Sequence, residues 1–111
     1  MVRTVWPMVI FAALVGCDIA ESDFPAAYAD AYCDKLRHCD KGNYENTYDD
    51  NEDCRDQWAD AADAFGDVAD LFGQDYDEHQ ARECVNELRG SSCEDFDEGD
   101  FNDECANAVY H

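Results

Sequence analysis

The sequence has few basic residues and no apolar run long enough to cross a membrane as a helix. Seven Lys and Arg residues stand against 28 Asp and Glu residues, which gives a formal net charge of −21. Nucleic acid and bare anionic lipid headgroups are bound through basic patches, so this composition excludes both as partners. The longest apolar segment, residues 5–15, is shorter than the roughly 20 residues of a membrane-spanning helix.

The arrangements of residues that usually carry catalysis are also missing. The chain has no Gly-x-Ser-x-Gly turn, no Cys-x-x-Cys pair and only three serines. Its histidines, His38, His79 and His111, are scattered. His38 beside Cys39 could form a catalytic pair, although a surface histidine at a helix end is the simpler interpretation. We therefore predict no enzymatic activity, no catalytic residues, no cofactor and no metal site.

The first seventeen residues have the features of an export signal. Arg3 is their only charged residue, and the apolar segment follows it. The stretch ends in Leu14-Val15-Gly16-Cys17, which resembles the lipobox of bacterial lipoproteins. The alternatives are an ordinary signal peptide that is followed by a cysteine through coincidence, and a retained transmembrane helix, which the short length disfavours.

The resemblance implies that Cys17 carries a lipid. In bacterial lipoproteins a diacylglycerol is attached to this cysteine, the chain is cut before it, and the new amino terminus is usually acylated, for example with palmitate. Two or more acyl chains hold a protein stably on a membrane. We therefore expect a signal peptide in residues 1–16, a lipidated cysteine and short tether in residues 17–23, and a folded domain in residues 24–111. The expected location is the bacterial cell envelope, with inner or outer membrane left open.

Six cysteines remain after Cys17 is assigned to the lipid. An even number of cysteines in a short exported chain predicts a disulfide framework. The 95 residues from Cys17 onward form a domain of a size that often needs such covalent support. The expected disulfide cysteines are Cys33, Cys39, Cys54, Cys84, Cys93 and Cys105.

The pairing of these cysteines is left open by the sequence, because six cysteines allow many combinations. A bond across the loop between the first two predicted helices is favoured, because the chain must turn back there; closing such a loop is worth roughly 3 kcal/mol in the chain-entropy model. The preferred pairs are Cys39 with Cys54, Cys33 with Cys84, and Cys93 with Cys105. The main rival pairs are Cys84 with Cys93 and Cys33 with Cys105.

Apolar residues recur at steps of three and four in three segments, which predicts helices, and no segment alternates in the strand pattern. The first helix begins near Ser22 or Asp23, the second at Asn51 and the third at Asp75 or Asp77, and each ends before a glycine, at Gly42, Gly73 and Gly90. The predicted apolar faces are Ala29, Tyr32, Cys33 and Leu36 in the first helix; Cys54, Trp58, Ala61, Ala62, Phe65, Ala69 and Phe72 in the second; and Ala81, Cys84, Val85 and Leu88 in the third. A single capped turn is expected at residues 92–95, and a short terminal helix is expected to carry Phe101, Cys105, Ala108 and Val109. The predicted fold is a small all-α, disulfide-rich bundle of three to four helices. The second and third helices are expected to be antiparallel neighbours because their link is short.

Two stretches between the helices are candidates for binding. Residues 40–51 lack apolar periodicity and are predicted to form the longest loop, in which Tyr44 and Tyr48 could contact a partner. Residues 95–104 alternate acidic residues in the manner of a calcium loop, but Gly99 and Ala106 stand where ligands should be. The acidic residues 49–53 are more simply the amino-terminal charge of the following helix. Because these acidic stretches could still bind a divalent cation such as calcium, cation binding is the alternative function.

The order of residues from Tyr76 onward is similar to that of small cysteine-rich bacterial lipoproteins that are abundant in myxobacteria. In that group a Tyr-Asp pair, here Tyr76-Asp77, opens a helix that carries a cysteine, here Cys84. Two more cysteines follow, as Cys93 and Cys105 do in this chain. The group has no established activity, so the resemblance implies a helical, disulfide-bonded fold and a place in the envelope, and it implies no reaction.

Together these features predict a membrane-anchored envelope lipoprotein that acts as a non-enzymatic interaction or structural module. Its expected partners are the membrane, through the anchor, and an envelope protein, while its oligomeric state is left open. Aspartate supplies 19 of the 28 acidic residues. We interpret this excess chiefly as a source of solubility, since like charges keep proteins apart in solution.

Overall fold

The computed structural model describes residues 18–99, 105 and 108–111. This part of the chain contains a 3-10 turn at Glu21–Asp23 and five α-helices. The helices are α1 (Phe24–Cys39), α2 (Lys41–Thr47), α3 (Asn51–Leu71), α4 (Glu78–Gly90) and α5 (Cys93–Glu98). The prediction of a small all-α, disulfide-rich bundle is confirmed, with three long helices and two of one or two turns. Over the described ranges, no helix has the length and apolar character that a membrane span requires.

Helix α1 lies at the centre of the bundle. Pro25 occupies its first turn, where the missing N–H has no helical partner to lose. The residues on its inward face, Ala29, Cys33 and Leu36, are buried as their spacing predicts. Both α3 and α4 pack on α1. The apolar surface of the two outer helices is therefore buried mainly against one shared partner.

The carboxyl ends of α1 and α4 lie together, so these two helices run in the same direction. The Lys35 ammonium group on α1 donates hydrogen bonds to the carbonyl oxygens of Arg89, at 3.0 Å, and Ser91, at 2.7 Å. A cation at this position satisfies carbonyl groups that a helix end leaves unpaired, and it complements the helix dipole. The bundle consequently has two distinct ends, and the amino termini of α1 and α4 share one of them.

We expected α3 and α4 to be direct neighbours, whereas in the structure each packs chiefly on α1. The side chain of Tyr110, near the carboxyl terminus, lies between the two elements. Its ring centroid is 5.7 Å from that of Phe65 on α3 and 5.4 Å from that of Tyr76, just before α4. A short link keeps the ends of two helices close, but it does not prevent a distant part of the chain from separating them.

The segment predicted as the longest loop, residues 40–51, contains helix α2, so that prediction is wrong. The Asp40 carboxylate accepts a hydrogen bond from the backbone N–H of Asn43 at 3.4 Å and caps the helix. Tyr44 is the helix's buried residue, and its hydroxyl donates to the Asn51 side chain at 3.0 Å. A two-turn helix with one buried residue leaves no apolar periodicity to detect.

Helix α3 begins as predicted, but its predicted apolar face is buried only in part. The Asp50 carboxylate caps the helix by accepting the backbone N–H of Asp53 at 2.8 Å. Cys54, Ala62 and Ala69 are buried, in agreement with the pattern. Phe65 and Phe72, which belong to the same pattern, are 41% and 79% exposed. The helix ends before Gly73, whose φ of 72° is left-handed, and this confirms the predicted glycine cap.

Helices α4 and α5 follow the sequence closely. The predicted apolar face of α4 is buried in full. It consists of Ala81, Cys84, Val85 and Leu88. Helix α5 is the expected short turn, in which the Ser92 hydroxyl accepts the backbone N–H of Asp95 at 3.1 Å. Most of the predicted terminal helix falls on residues 100–104, 106 and 107, outside the described part of the chain.

All six predicted cysteines form disulfides, but every predicted pair is wrong, including the rival pairs. The observed bonds join Cys33 with Cys54, Cys39 with Cys93, and Cys84 with Cys105. Their Cα atoms lie 6.1, 5.2 and 4.8 Å apart, within the usual range for a disulfide. The bond predicted between Cys39 and Cys54, across the turn between α1 and α3, does not form because of what lies in that turn. Helix α2 fills that turn, so the end of α1 meets the start of α5 instead.

Candidate functional site

The segment expected to be a tether lies against the folded domain. The backbone N–H of Ile19 donates to the carbonyl oxygen of Glu78 at 3.3 Å, and the Tyr76 hydroxyl donates to the carbonyl oxygen of Ile19 at 2.6 Å. The Ile19 side chain packs against the core. Residues 19–23 are therefore held against the domain and do not form a free tether. Asp18, the residue after Cys17, lies at the amino end of α4.

Basic groups of α4 surround the Asp18 carboxylate. One of its oxygens lies 3.7 Å from Arg82 Nε and 3.5 Å from His79 Nδ1. All three side chains are partly exposed, so these ion pairs add little stability and serve mainly to orient the segment. Cys17, the predicted lipidation site, is outside the described residues.

The carboxyl terminus closes the same end of the bundle. His111 and Asp75 exchange two backbone hydrogen bonds, of 2.9 and 3.0 Å, and the N–H of Asp77 donates to the carbonyl oxygen of Val109 at 2.8 Å. His111 Nε2 lies 3.0 Å from a carboxylate oxygen of Asp77. This hydrogen bond, together with backbone donors at the start of α4, lowers the pKa of Asp77 from its ordinary value. Both chain ends of the domain are thus fastened at one end of the fold.

The side chain of Tyr110 packs inside this end of the bundle. The residue is 5% exposed, and its hydroxyl donates to a carboxylate oxygen of Glu21 at 3.3 Å. Burial, reinforced by the negative charge of Glu21, raises the pKa of Tyr110 to about 12. The Tyr110 ring lies directly over Gly66 of α3, where a Cβ atom would come within 2.6 Å of the hydroxyl oxygen. A side chain at position 66 would therefore displace the ring.

Three large apolar side chains at the end of α3 form an exposed surface that we call the apolar tip. It consists of Val68, Leu71 and Phe72, with exposed fractions of 48%, 85% and 79%. Large apolar residues that are exposed together commonly mark an interaction surface. The tip is the most strongly exposed group of large apolar residues in the described part of the chain.

Helix lengths explain why the tip is uncovered. The disulfide between Cys33 and Cys54 sets the register of α1 against α3. From that bond toward the chain-end side of the bundle, α1 extends about 14 Å to Phe24, whereas α3 extends about 26 Å to Leu71. The last turns of α3 consequently project past the start of α1, and α1 does not reach far enough to cover them.

A small apolar cavity lies beside α3, nearer the middle of the bundle. Its volume is about 180 Å³, and Phe24, Tyr28, Trp58 and Phe65 contribute to its walls. Pockets that hold drug-sized ligands usually measure about 300–1,000 Å³, so this cavity is smaller than a typical ligand site. Burial raises the pKa of Tyr28 to about 12, since the interior disfavours the ionised phenol.

The other candidates from the sequence have structural roles. Cys39 is bonded to Cys93 and has no thiol to pair with His38, whose ring is exposed and bonds to the Asp34 carbonyl oxygen. Tyr44 is buried, and the Tyr48 hydroxyl accepts a hydrogen bond from Trp58 Nε1 at 2.8 Å. Both tyrosines therefore pack down on the core instead of forming a partner surface.

Of the two acidic stretches, residues 49–53 lie wholly within the described part of the chain and residues 95–104 only in part. Residues 49–53 provide the cap and first-turn charge of α3, as predicted. Of the calcium-like stretch, residues 95–98 belong to α5, while residues 100–104 are outside the described chain. Over residues 18–99, 105 and 108–111, no three Asp, Glu, His or Cys side chains are grouped so that they could hold a metal ion.

Comparison of the chain with protein families, with curated proteins and with solved structures found no match.

Proposed function

We propose that the protein is a lipid-anchored lipoprotein of the bacterial cell envelope and acts there as a non-enzymatic interaction or structural module. The observation that carries the proposal is the sequence Leu14-Val15-Gly16-Cys17 at the end of a short apolar segment. Cleavage before Cys17 and addition of acyl chains to it would attach the domain to a membrane stably. The resemblance from Tyr76 onward to cysteine-rich lipoproteins supports the same location.

The geometry next to Cys17 is compatible with an anchor. Asp18 is held at the amino end of α4, so the lipid would emerge from a defined point on the surface and not from a long flexible arm. Two residues of extended chain span at most about 7 Å, which would keep the domain against the membrane. Three disulfides suit a small domain in the oxidising space outside the cytoplasm.

The test is the intact mass of the protein extracted with detergent from membranes of the cells that make it. We expect a chain that begins at Cys17 and carries diacylglycerol and a further acyl chain. Six cysteine alkylations should appear only after reduction, because all six remaining thiols are in disulfides. A Cys17→Ser variant, which lacks the sulfur that receives the lipid, should keep the six alkylations and lose the lipid mass.

Two results would overturn the proposal. Recovery of the wild-type protein in the soluble fraction without lipid would contradict the proposed anchor. Thiols that react without reductant would contradict the proposed disulfide-bonded state outside the cytoplasm. A measurable turnover by the purified protein would contradict the non-enzymatic role.

A further inference from the structure

We infer that the apolar tip of α3, Leu71 and Phe72 above all, inserts into the lipid interface beside the anchor, so that the domain contacts the membrane at two points. This inference rests on the proposed attachment of a lipid to Cys17. It adds a binding surface with a defined partner, a lipid bilayer, and a fixed orientation of the bundle on that bilayer.

The apolar tip and Ile19, which follows the proposed anchor by two residues, lie at the same end of the fold. The N–H of Ile19 is bonded to the carbonyl oxygen of Glu78, which lies six positions after Phe72 in the chain. Six residues span at most about 20 Å, and the N–H of Gln74 bends back to the carbonyl oxygen of Ala69, which shortens that path. Ile19, two residues after the proposed anchor, therefore lies within about 20 Å of the tip, at the same end of the fold.

A lipid on Cys17 would bring this end of the bundle to the bilayer. With at most about 7 Å of chain between the lipid and Ile19, the end of the bundle to which Ile19 is bonded is held close to the membrane. Leu71 and Phe72 are the large apolar side chains that project there, and α3 carries them beyond the start of α1. Leucine and phenylalanine on a helix favour burial at the boundary between headgroups and acyl chains.

Negatively charged side chains surround the tip. Asp67 and Asp70 flank it on α3, and Asp75 follows it in the link to α4. These carboxylates are exposed, so they keep the insertion shallow and favour a bilayer with neutral headgroups over an anionic one. Salt should relieve the effect of anionic lipid, because screening shortens the range of the repulsion.

The experiment places a tryptophan on the tip and measures its quenching by brominated lipid. Trp6 belongs to the predicted signal peptide, so Trp58 is the reference tryptophan of the mature protein. Phe72→Trp adds a second tryptophan at a site that is 79% exposed, which the fold should accommodate. Asp56→Trp is the matched control, since it is an exposed site on the same helix about 24 Å away toward the opposite end.

The lipidated proteins are reconstituted into vesicles of zwitterionic phosphatidylcholine, with and without brominated acyl chains. We expect the emission added by Phe72→Trp to be quenched by at least about half, while Asp56→Trp and the wild type change little. Replacing a third of the lipid with an anionic phospholipid should reduce the quenching at low salt, and high salt should restore it. Leu71→Trp provides a second site on the tip with the same expected result.

Equal quenching at positions 72 and 56, or none at 72 and 71, would overturn the inference. If a second copy of this chain covered the tip instead, the Phe72→Trp emission would not be quenched, and the protein would be a dimer that Phe72→Ser converts to a monomer. That result would also overturn the inference. Failure of the anchor itself is distinguishable, because the wild-type protein would then carry no lipid mass and would not float with the vesicles.

Discussion

Substituting Gly66 with alanine tests how tightly the carboxyl-terminal segment is packed on α3. In an open helical site, replacing glycine with alanine raises the free energy of unfolding by up to about 1 kcal/mol. At position 66 the new Cβ atom would lie 2.6 Å from the Tyr110 hydroxyl oxygen and 3.3 Å from its Cζ atom. Overpacking of this kind costs about 1–3 kcal/mol. We therefore expect a net loss of about 1 kcal/mol.

The loss has a clear structural origin, because Tyr110 has little room to move. Its ring contacts Phe65 and Tyr76, and its hydroxyl contacts Glu21. Displacing the ring weakens two aromatic pairs, each worth roughly 0.5–1.5 kcal/mol. For a domain of this size, a loss of 1 kcal/mol lowers the Tm by about 4–8 °C.

The assay is urea and thermal unfolding with the disulfides intact, in which small domains usually behave as two-state systems. Gly42→Ala in α2 is the matched control, because a Cβ there meets no atom within 4 Å. We expect this control to be neutral or slightly stabilising. Tyr110→Phe removes the clashing oxygen and leaves only the milder contact of 3.3 Å with Cζ, so Gly66→Ala should cost less stability in that background than in the wild type. Equal shifts for Gly66→Ala and Gly42→Ala, or no rescue by Tyr110→Phe, would refute the packing argument.

Two further predictions concern the disulfides and the buried tyrosines. Replacing Cys39 and Cys93 with serine opens a loop with a sequence separation of 54 residues, which should lower the free energy of unfolding by about 4 kcal/mol in the chain-entropy model. Urea unfolding measures this loss. A peptide map that links Cys39 to Cys54 would contradict the pairing on which the prediction depends. Tyr28 and Tyr110 have pKa values raised from 10.0 to about 12, so their contribution to stability is present below about pH 10 and is lost as pH rises toward 12. Tyrosinate absorbance and urea unfolding across this range should show late ionisation and falling stability, whereas ionisation of all tyrosines near pH 10 in the folded protein would count against it.

The three long helices could be predicted because each carries its own evidence in the sequence. The face of α4 repeats apolar residues at helical spacing, and Asp77 and Gly90 mark its ends. Helix α1 shows the same agreement, from Pro25 in its first turn to Leu36 on its buried face. Such elements are specified by short-range periodicity and capping, which remain visible when the rest of the fold is unknown.

The candidate surface could be predicted only in part. Periodicity placed Phe72 on the same face of α3 as Ala69, and the structure buries Ala69 but exposes Phe72. Whether an apolar residue on a helix is covered depends on the length and register of the neighbouring helix. That register is set by the bond from Cys33 to Cys54, which the sequence left undetermined.

By itself, the sequence determined the all-α class, the long helices and the cysteines that form disulfides, because periodicity, caps and an even cysteine count are local or compositional properties. The tertiary structure alone decided the disulfide partners, the helix hidden in residues 41–47, the docking of Ile19 on α4 and the exposure of the apolar tip. Each of these depends on which distant segments meet in space. A pairing such as Cys39 with Cys93 is favourable only after α1, α4 and α5 have packed to bring the two side chains together.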